Sequence, residues 1–199
     1  MTRLYIWRHG RTLWNAERRI QGQTDVELDE TGHTQAAAAA AQLARLRPDA
    51  IVSSDLRRAV QTAEYLAERT GLPVQLDARL RERHFGEWQG LTDTELAQLY
   101  PEVHARWRAG RRDEASVGME SMADLEKRAT AAFLDAADAR PGGTTVITAH
   151  GGTAKYGVAA LLGWSDGVGR KLGPLANCHW IELRDTPNRG WQLWSYNSQ

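Results

Sequence analysis

Two histidines in this chain each follow a short apolar run and precede a glycine. His9 lies in RHG after the letters LYIW, and His150 lies in HGG after the letters TTVITA. A short apolar run bounded by glycine predicts a buried strand that ends at a loop. Because ligands of open α/β sheets bind beyond the carboxyl ends of the strands, we expect both imidazoles at a rim that a substrate can reach. Arg8 stands beside His9 and is suited to hold an anion there.

Two other segments supply a further cation and a carboxylate. The letters SSDLRR, at 53–58, place an arginine, Arg57 or Arg58, in the first turn of a predicted helix, where free N–H groups already favour anions. The letters RERHFG, at 81–86, offer Glu82. The ordinary alternative for this carboxylate is an ion pair with its neighbours Arg81 and Arg83. Together, the four segments predict an anion site assembled from loops at strand ends.

The bulk properties exclude several classes of protein. A length of 199 residues fits one domain, and 42% hydrophobic with 25% charged residues is ordinary for a soluble globular chain. The 25 basic and 25 acidic residues cancel, so no overall field favours nucleic acid or a membrane surface. Cys178 stands alone, which excludes an intrachain disulfide and predicts a small buried side chain. No apolar leader or bilayer-length run occurs, so we expect a cytoplasmic protein.

The predicted elements alternate between strands and helices, which is typical of an α/β fold. This alternation predicts a mostly parallel central sheet covered on both faces, a three-layer αβα sandwich. A helical insertion near 92–120 is expected to cap the site within a single domain, 1–199. The expected strands are 3–7, 50–52, 74–76 and 144–149, with a closing hairpin at 177–184 and 191–196; the expected helices are 34–46, 56–70, 92–109, 122–139 and one that ends at 162.

Four motifs, taken together and in this order, resemble those of the histidine phosphatase superfamily, also called the phosphoglycerate mutase-like family. They are RHGRT with a following WN, SSDLRRAVQTA, RERHFGEWQGL and AHGG. The resemblance covers essentially the whole chain. Within the superfamily, the letters RIQGQTDVELDETG and VSSDLRRA are similar to those of actinobacterial phosphatases that act on glucosyl-3-phosphoglycerate and similar phosphoesters.

The resemblance implies a covalent mechanism with five catalytic residues. His9 would attack phosphorus and become a phosphohistidine, which water then hydrolyses. Arg8 and Arg58 would bind the phosphate oxygens and favour the neutral form of the attacking imidazole, while His150 adds a donor on the other side. Glu82 would protonate the leaving alkoxide and later accept the proton of the attacking water. No metal and no cofactor are implied, because the arginines supply the positive charge.

The same resemblance gives a substrate-binding set around these five residues. Asn15 is expected as a further donor to the phosphate. The other members of the set are expected to line the site: Thr12, Gln21, Gly22 and Gly151.

Two departures from the family pattern bear on specificity. Arg11 stands where the family often has glutamate and would add positive charge at the mouth of the site. Met119 stands where many relatives have glycine and would change the shape of its loop. In addition, Trp14 and Trp88 lie near the motif loops and are candidates for lining a pocket for a sugar or a ring.

The first interpretation is a metal-independent phosphatase whose partner is a small-molecule phosphate ester. A cofactor-dependent phosphoglycerate mutase is the alternative with the same phosphohistidine, although segment 100–119 is short for a mutase of this family. Basic residues in that segment could still meet a carboxylate: Arg106, Arg108, Arg111 and Arg112. A non-catalytic phosphate-binding module is the alternative of another class, but no member of the catalytic set is missing. A homodimer is compatible with the sequence.

Overall fold

A mixed sheet forms the centre of the computed structural model, which describes residues 1–110, 117–164 and 168–199. Within those residues the strand order is β3-β2-β4-β1-β5-β6. The first four strands in this order run parallel, and the last two are antiparallel to their neighbours. The strands are β1 (Thr2–Arg8), β2 (Ala50–Ser53), β3 (Val74–Leu76), β4 (Thr144–Ala149), β5 (Trp180–Thr186) and β6 (Gly190–Ser198).

Helices cover both faces of this sheet. They are α1 (Leu13–Ala16), α2 (Glu30–Ala44), α3 (Arg57–Thr70), α4 (Asp93–Leu99), α5 (Pro101–Arg108), α6 (Met122–Asp138), α7 (Gly151–Leu161) and α8 (Val168–Lys171). Side chains alternate along β1, so Leu4 and Ile6 pack in a core with α6 and α7, whereas Tyr5 and Trp7 pack in a second core with α2 and α3. The predicted three-layer α/β sandwich with a mostly parallel sheet is confirmed.

Three predicted boundaries were wrong, each for a local reason. Helix α2 begins at Glu30, four residues before the predicted start at 34, because the Asp29 side chain caps it by accepting from the Gly32 N–H. The predicted helix 92–109 is two helices, divided at Tyr100 and Pro101. Strand β5 begins only at Trp180, because Cys178 has a φ of 59° and belongs to the preceding turn.

A third, smaller core lies between α4, α5 and three loop segments, at 20, 85–91 and 117–119. Trp88, Leu96, Val117 and Met119 are buried in it, with Ile20 and Phe85 among the residues packed against it. Trp88 is 1% exposed and stacks edge-on against Trp107, so its predicted role in lining a ligand pocket was wrong. Met119 likewise contributes apolar packing. Arg111 and Arg112, two of the cations considered for a carboxylate, lie outside the described residues.

The strand order decides which loops meet. Strands β1 and β4 are parallel neighbours, and Arg8 is paired with Ala149 at their common carboxyl end. The next residue on each strand is therefore a histidine, His9 or His150. Strand β2 pairs with β4 on the side away from β1 and ends at Ser53. The loop that leads into α3 therefore starts at the same edge of the sheet. No helix of the described residues is both long and apolar enough to cross a lipid bilayer.

Candidate active site

His9 is held with one ring nitrogen committed to the backbone. Its side chain is buried, and Nδ1 donates to the Gly10 carbonyl at 2.7 Å. A carbonyl can only accept, so in the neutral imidazole the proton lies on Nδ1 and Nε2 carries the free lone pair. Burial, the Arg58 charge and the Arg8 charge, in that order, hold the pKa of His9 well below its usual 6.5. At neutral pH the ring therefore presents an unprotonated Nε2.

His150 lies across from His9 as a second neutral imidazole. The two ring centroids are 5.1 Å apart, and the His150 ring is fully buried. Its pKa also lies well below 6.5, chiefly because of burial and then because of the Arg58 charge. Nε2 lies 2.8 Å from the Ser54 hydroxyl, while Nδ1 is buried without a partner.

Arg58 is fully buried yet uses only part of its guanidinium. Nη1 donates to the Thr24 carbonyl at 2.8 Å and Nη2 to the Gly22 carbonyl at 2.7 Å, which fixes the loop after α1. Nε is buried without a partner. Burial lowers the pKa of Arg58 to about 10, so the group is still a cation at neutral pH.

Arg8 repeats this arrangement on the other side of His9. Its Nη1 donates to the Leu175 carbonyl, while its buried Nε has no partner. Burial lowers the pKa of Arg8 from its usual value, an effect that the Glu82 carboxylate opposes. Both arginines are thus anchored by one part of the guanidinium and leave Nε uncommitted.

Three nitrogens of residues that neighbour His9 are therefore buried and unsatisfied: Nε of Arg8, Nε of Arg58 and Nδ1 of His150. Leaving a buried polar group without a hydrogen bond costs about 1–3 kcal/mol. Such groups are uncommon in folded proteins and call for a specific explanation. An oxyanion with several acceptor oxygens, bound within hydrogen-bond distance of these three nitrogens, would satisfy all of them. The arrangement is suited to bind a tetrahedral anion beside His9.

The Glu82 carboxylate is held by backbone N–H groups, that of Arg83 at 2.8 Å and those of the first turn of α7, and not by the side-chain ion pair of the ordinary alternative. In α7 it accepts from the backbone N–H groups of Gly152 at 2.9 Å and Thr153 at 3.1 Å. A Cβ on Gly152 would lie 2.5 Å from Glu82 Oε1, so this contact requires glycine. Arg81 instead makes a bidentate ion pair with Asp55.

The structure brings most of the predicted site residues to one cavity of about 170 Å³. Asn15 is among the residues that line this cavity. Its Oδ1 accepts from the Thr12 backbone N–H and from Asn177 Nδ2, so these two bonds do not use the Nδ2 of Asn15. Gln21 contributes a buried Oε1 without a partner. The residues that line the cavity are Arg8, His9, Asn15, Arg19, Ile20, Gln21, Gly22, Arg58, Glu82 and Phe85.

Several predicted residues lie elsewhere or act differently. Thr12 is fully buried, where it caps α1. Gly151 lines a neighbouring cavity of about 230 Å³ that also contacts Arg8. Arg11 is paired with Asp29 at 2.8 Å, so its charge is largely compensated and not presented alone. Gly10 is required by its contact with α2, because a Cβ there would lie 2.6 Å from the Gly32 carbonyl oxygen.

Two residues that position the site were missed in the sequence. Asn177 donates through Nδ2 to the His9 carbonyl at 3.0 Å and to Asn15 Oδ1 at 3.2 Å, so one side chain fixes two site residues. It lies 168 residues from His9, and nothing near it marked this role. Ser54, the partner of His150, is the second residue of the quoted motif SSDLRR. A hydroxyl residue just after a predicted buried strand is a signal that could have been used.

Charge in the site comes from protein side chains. Arg58 and Arg8 are the cations whose charges lower the pKa of His9, and the Glu82 carboxylate acts electrostatically on both arginines. Among the residues that the structure describes, no group of three or more His, Cys, Asp or Glu side chains is placed to hold a metal ion.

The fold and this geometry define a class: an α/β protein with a site suited to an oxyanion around a buried, neutral histidine at a strand end. The profile of the histidine phosphatase superfamily (branch 1) matches residues 4–199. The chain belongs to this superfamily, and it is a phosphatase, a hydrolase, of that class.

Two sequence relatives and one solved structure show which known proteins the chain is similar to. The chain is 43% identical over 189 residues to glucosyl-3-phosphoglycerate phosphatase of Mycobacterium tuberculosis, covering 91% of this chain and 84% of the relative. It is 40% identical over 152 residues to phosphoglycerate mutase-like protein 4 of Arabidopsis thaliana, covering 75% and 66%. The structure of mycobacterial glucosyl-3-phosphoglycerate phosphatase in complex with VO3 superposes with a TM-score of 0.89 at 38% identity, covering 100% of both chains.

Proposed function

We propose that this protein hydrolyses a small-molecule phosphate monoester through a phosphohistidine at His9, with no metal ion. The observation that carries the proposal is the set of three buried, unpartnered nitrogens of Arg8, Arg58 and His150 beside the unprotonated Nε2 of His9. A bound phosphoryl group satisfies these donors, and negative charge that accumulates on its equatorial oxygens strengthens each bond.

In the first step, Nε2 of His9 forms a bond to phosphorus as the ester P–O bond breaks. Glu82 gives its proton to the departing alkoxide, because an alkoxide is too basic to leave unaided. In the second step, water attacks the phosphohistidine, Glu82 takes one proton from that water, and the P–N bond breaks to release inorganic phosphate and neutral His9. For His150 to donate through Nδ1, its Nε2 accepts from the Ser54 hydroxyl, which assigns Ser54 the role of setting the tautomer.

The size and lining of the cavity favour a small leaving group. Ile20 and Phe85 give it an apolar wall, and Gln21 and Asn15 give it amide groups that suit hydroxyls or a carboxylate. Both apolar residues pack against the core of α4 and α5, so we propose that these helices cap the site within one domain, 1–199. We also propose that the substrate is a phosphorylated hydroxy acid or its glycoside, because the mycobacterial relative is a glucosyl-3-phosphoglycerate phosphatase.

Hydrolysis is proposed over the mutase alternative, in which the phosphoryl group returns to a second hydroxyl. Incubation with 3-phosphoglycerate tests the choice: we expect inorganic phosphate as the product, and conversion to 2-phosphoglycerate would support the mutase instead. The assembly state and the cytoplasmic location expected from the sequence stay predictions.

The role of Glu82 is tested with Glu82→Gln and two kinds of ester. An alkyl phosphate needs the proton, so its single-turnover phosphorylation rate should fall by about 10²–10⁴. p-Nitrophenolate is a much weaker base, so the p-nitrophenyl ester should lose far less. Glu87→Gln is the matched control, since Glu87 is an exposed carboxylate on the same loop. Equal losses for both esters in Glu82→Gln would show that Glu82 is not the leaving-group acid.

A further inference from the structure

One side chain outside the cavity, Arg128 of α6, is bonded to most of the backbone that carries Glu82. Its Nη1 donates to the carbonyl oxygens of Arg79 and Arg81, both at 2.6 Å. Its Nη2 donates to the carbonyl of Glu82 itself at 3.0 Å. The Arg128 side chain is 19% exposed, and its bonds to the carbonyls of Arg81 and Glu82 are partly buried. Helix α6 is thereby linked to the turn that leads into Glu82 and to Glu82 itself.

Glu120 completes the arrangement from the opposite side. Its carboxylate pairs with Arg128, with Nε at 2.6 Å from Oε1 and Nη2 at 2.9 Å from Oε2. The same Oε2 accepts from the backbone N–H of His84 at 3.1 Å, and the Glu120 carbonyl accepts from the Arg83 guanidinium. The pair therefore holds the chain both before and after Glu82.

We propose that Arg128 and Glu120 are positioning residues for proton donation by Glu82; this inference rests on the proposed function, in which Glu82 is the acid. Neither side chain lines the cavity that contains His9. They act through the backbone at 79–84, which sets the origin of the Glu82 side chain, while the first turn of α7 holds its carboxylate. A misplacement of about 1 Å at a reacting group can cost about 10²-fold in rate.

The chemistry of the guanidinium explains why arginine stands at position 128. Its planar fork carries five N–H donors, and here it serves three carbonyls and one carboxylate at once. Lysine has a single nitrogen with three donors and cannot span these acceptors. Arg128→Lys thus keeps the charge but loses the geometry, which separates positioning from electrostatics.

The test compares two esters in Arg128→Lys and Arg128→Met, again by single-turnover phosphorylation. For an alkyl phosphate we expect rates about 10- to 100-fold below the parent in both variants. For the p-nitrophenyl ester, and for vanadate affinity, we expect changes within about threefold, because the phosphate-binding groups stay in place. Lys127→Met is the matched control, since Lys127 is an exposed cation on the same helix, and it should behave as the parent.

A double variant shows whether Arg128 acts through Glu82. If it does, Glu82→Gln with Arg128→Lys should be no slower toward the alkyl ester than Glu82→Gln alone. Equal losses for both esters, or additive losses in the double variant, would overturn the positioning role. So would an unchanged alkyl-ester rate in Arg128→Lys. Failure of the proposed acid itself is seen separately, as the absence of any ester difference in Glu82→Gln. Arg128→Lys decides the outcome where Arg128→Met does not fold.

Discussion

Replacing Arg58 by methionine should slow catalysis strongly while leaving the protein folded. Arg58 is fully buried and makes two hydrogen bonds, to the carbonyls of Gly22 and Thr24. Each orphaned carbonyl should cost about 1–3 kcal/mol in the free energy of unfolding. Against this, methionine has no charge to bury. Burial lowers the Arg58 pKa from 12.5 to about 10, which corresponds to a cost of roughly 3 kcal/mol for holding this cation in the folded protein. The variant does not carry that cost. The two carbonyls together cost about 2–6 kcal/mol, so the net change lies between a gain of about 1 and a loss of about 3 kcal/mol.

The rate has no such compensation. Arg58→Met removes one preorganised donor to the phosphoryl oxygens, for which losses of about 10²–10³ in rate are usual. Arg57→Met is the matched control: Arg57 precedes it on α3, but its side chain is exposed and pairs with Glu27 at 3.3 Å. We expect the control to keep the parent's rate within about threefold. Single-turnover phosphorylation by p-nitrophenyl phosphate measures the loss, and thermal unfolding measures the stability.

The same substitution should move the pKa of His9 upward. A nearby positive charge disfavours protonation of the ring, and Arg58 is the second cause, after burial, of the lowered His9 pKa. Without that charge the proton binds more readily, so His9 becomes protonated, and unreactive, at a higher pH than in the parent. An NMR titration of the histidine ring signals in the ligand-free protein measures this directly. An unchanged or lower His9 pKa in Arg58→Met would refute the electrostatic reasoning.

Three further predictions follow from the same site. Vanadate at about 100 times its Kd should raise the free energy of unfolding by about 2.7 kcal/mol, because it satisfies the unpartnered donors; an unchanged thermal midpoint would contradict this. Treatment with EDTA should leave turnover unchanged, and a loss that added metal restores would contradict the metal-free mechanism. Cys178 is 4% exposed and burial raises its pKa to about 12, so iodoacetamide should label it only after unfolding. Rapid labelling of the native protein would contradict the burial of this thiol.

Local patterns were enough to predict the sheet and the loops that meet at its edge. The apolar runs before His9 and His150 gave both strands, and the parallel register then places the two residues side by side. The local pattern gave an arginine in the first turn of α3, and the resemblance to the family selected Arg58, which is buried. These features depend on residues close together in the chain, which is why sequence periodicity detects them.

What the sequence did not predict depends on contacts between distant segments. Asn177 reaches the His9 carbonyl across 168 positions, and Arg11 is compensated by Asp29 from 18 positions away. Neither pairing leaves a local pattern. Thr12 is different, because a threonine followed three residues later by Asn15 resembles a capping box, and this signal could have shown that the Thr12 side chain caps α1.

The central claim is that His9 itself carries the phosphoryl group, and trapping the intermediate tests it most directly. The enzyme is mixed with p-nitrophenyl phosphate, quenched under alkaline conditions that preserve phosphohistidine, digested and analysed by mass spectrometry. We predict one added phosphoryl group on the peptide that contains His9, at Nε2, and none in His9→Ala. A phosphoryl group on any other residue of the parent, or a phosphoenzyme in His9→Ala, would contradict the account.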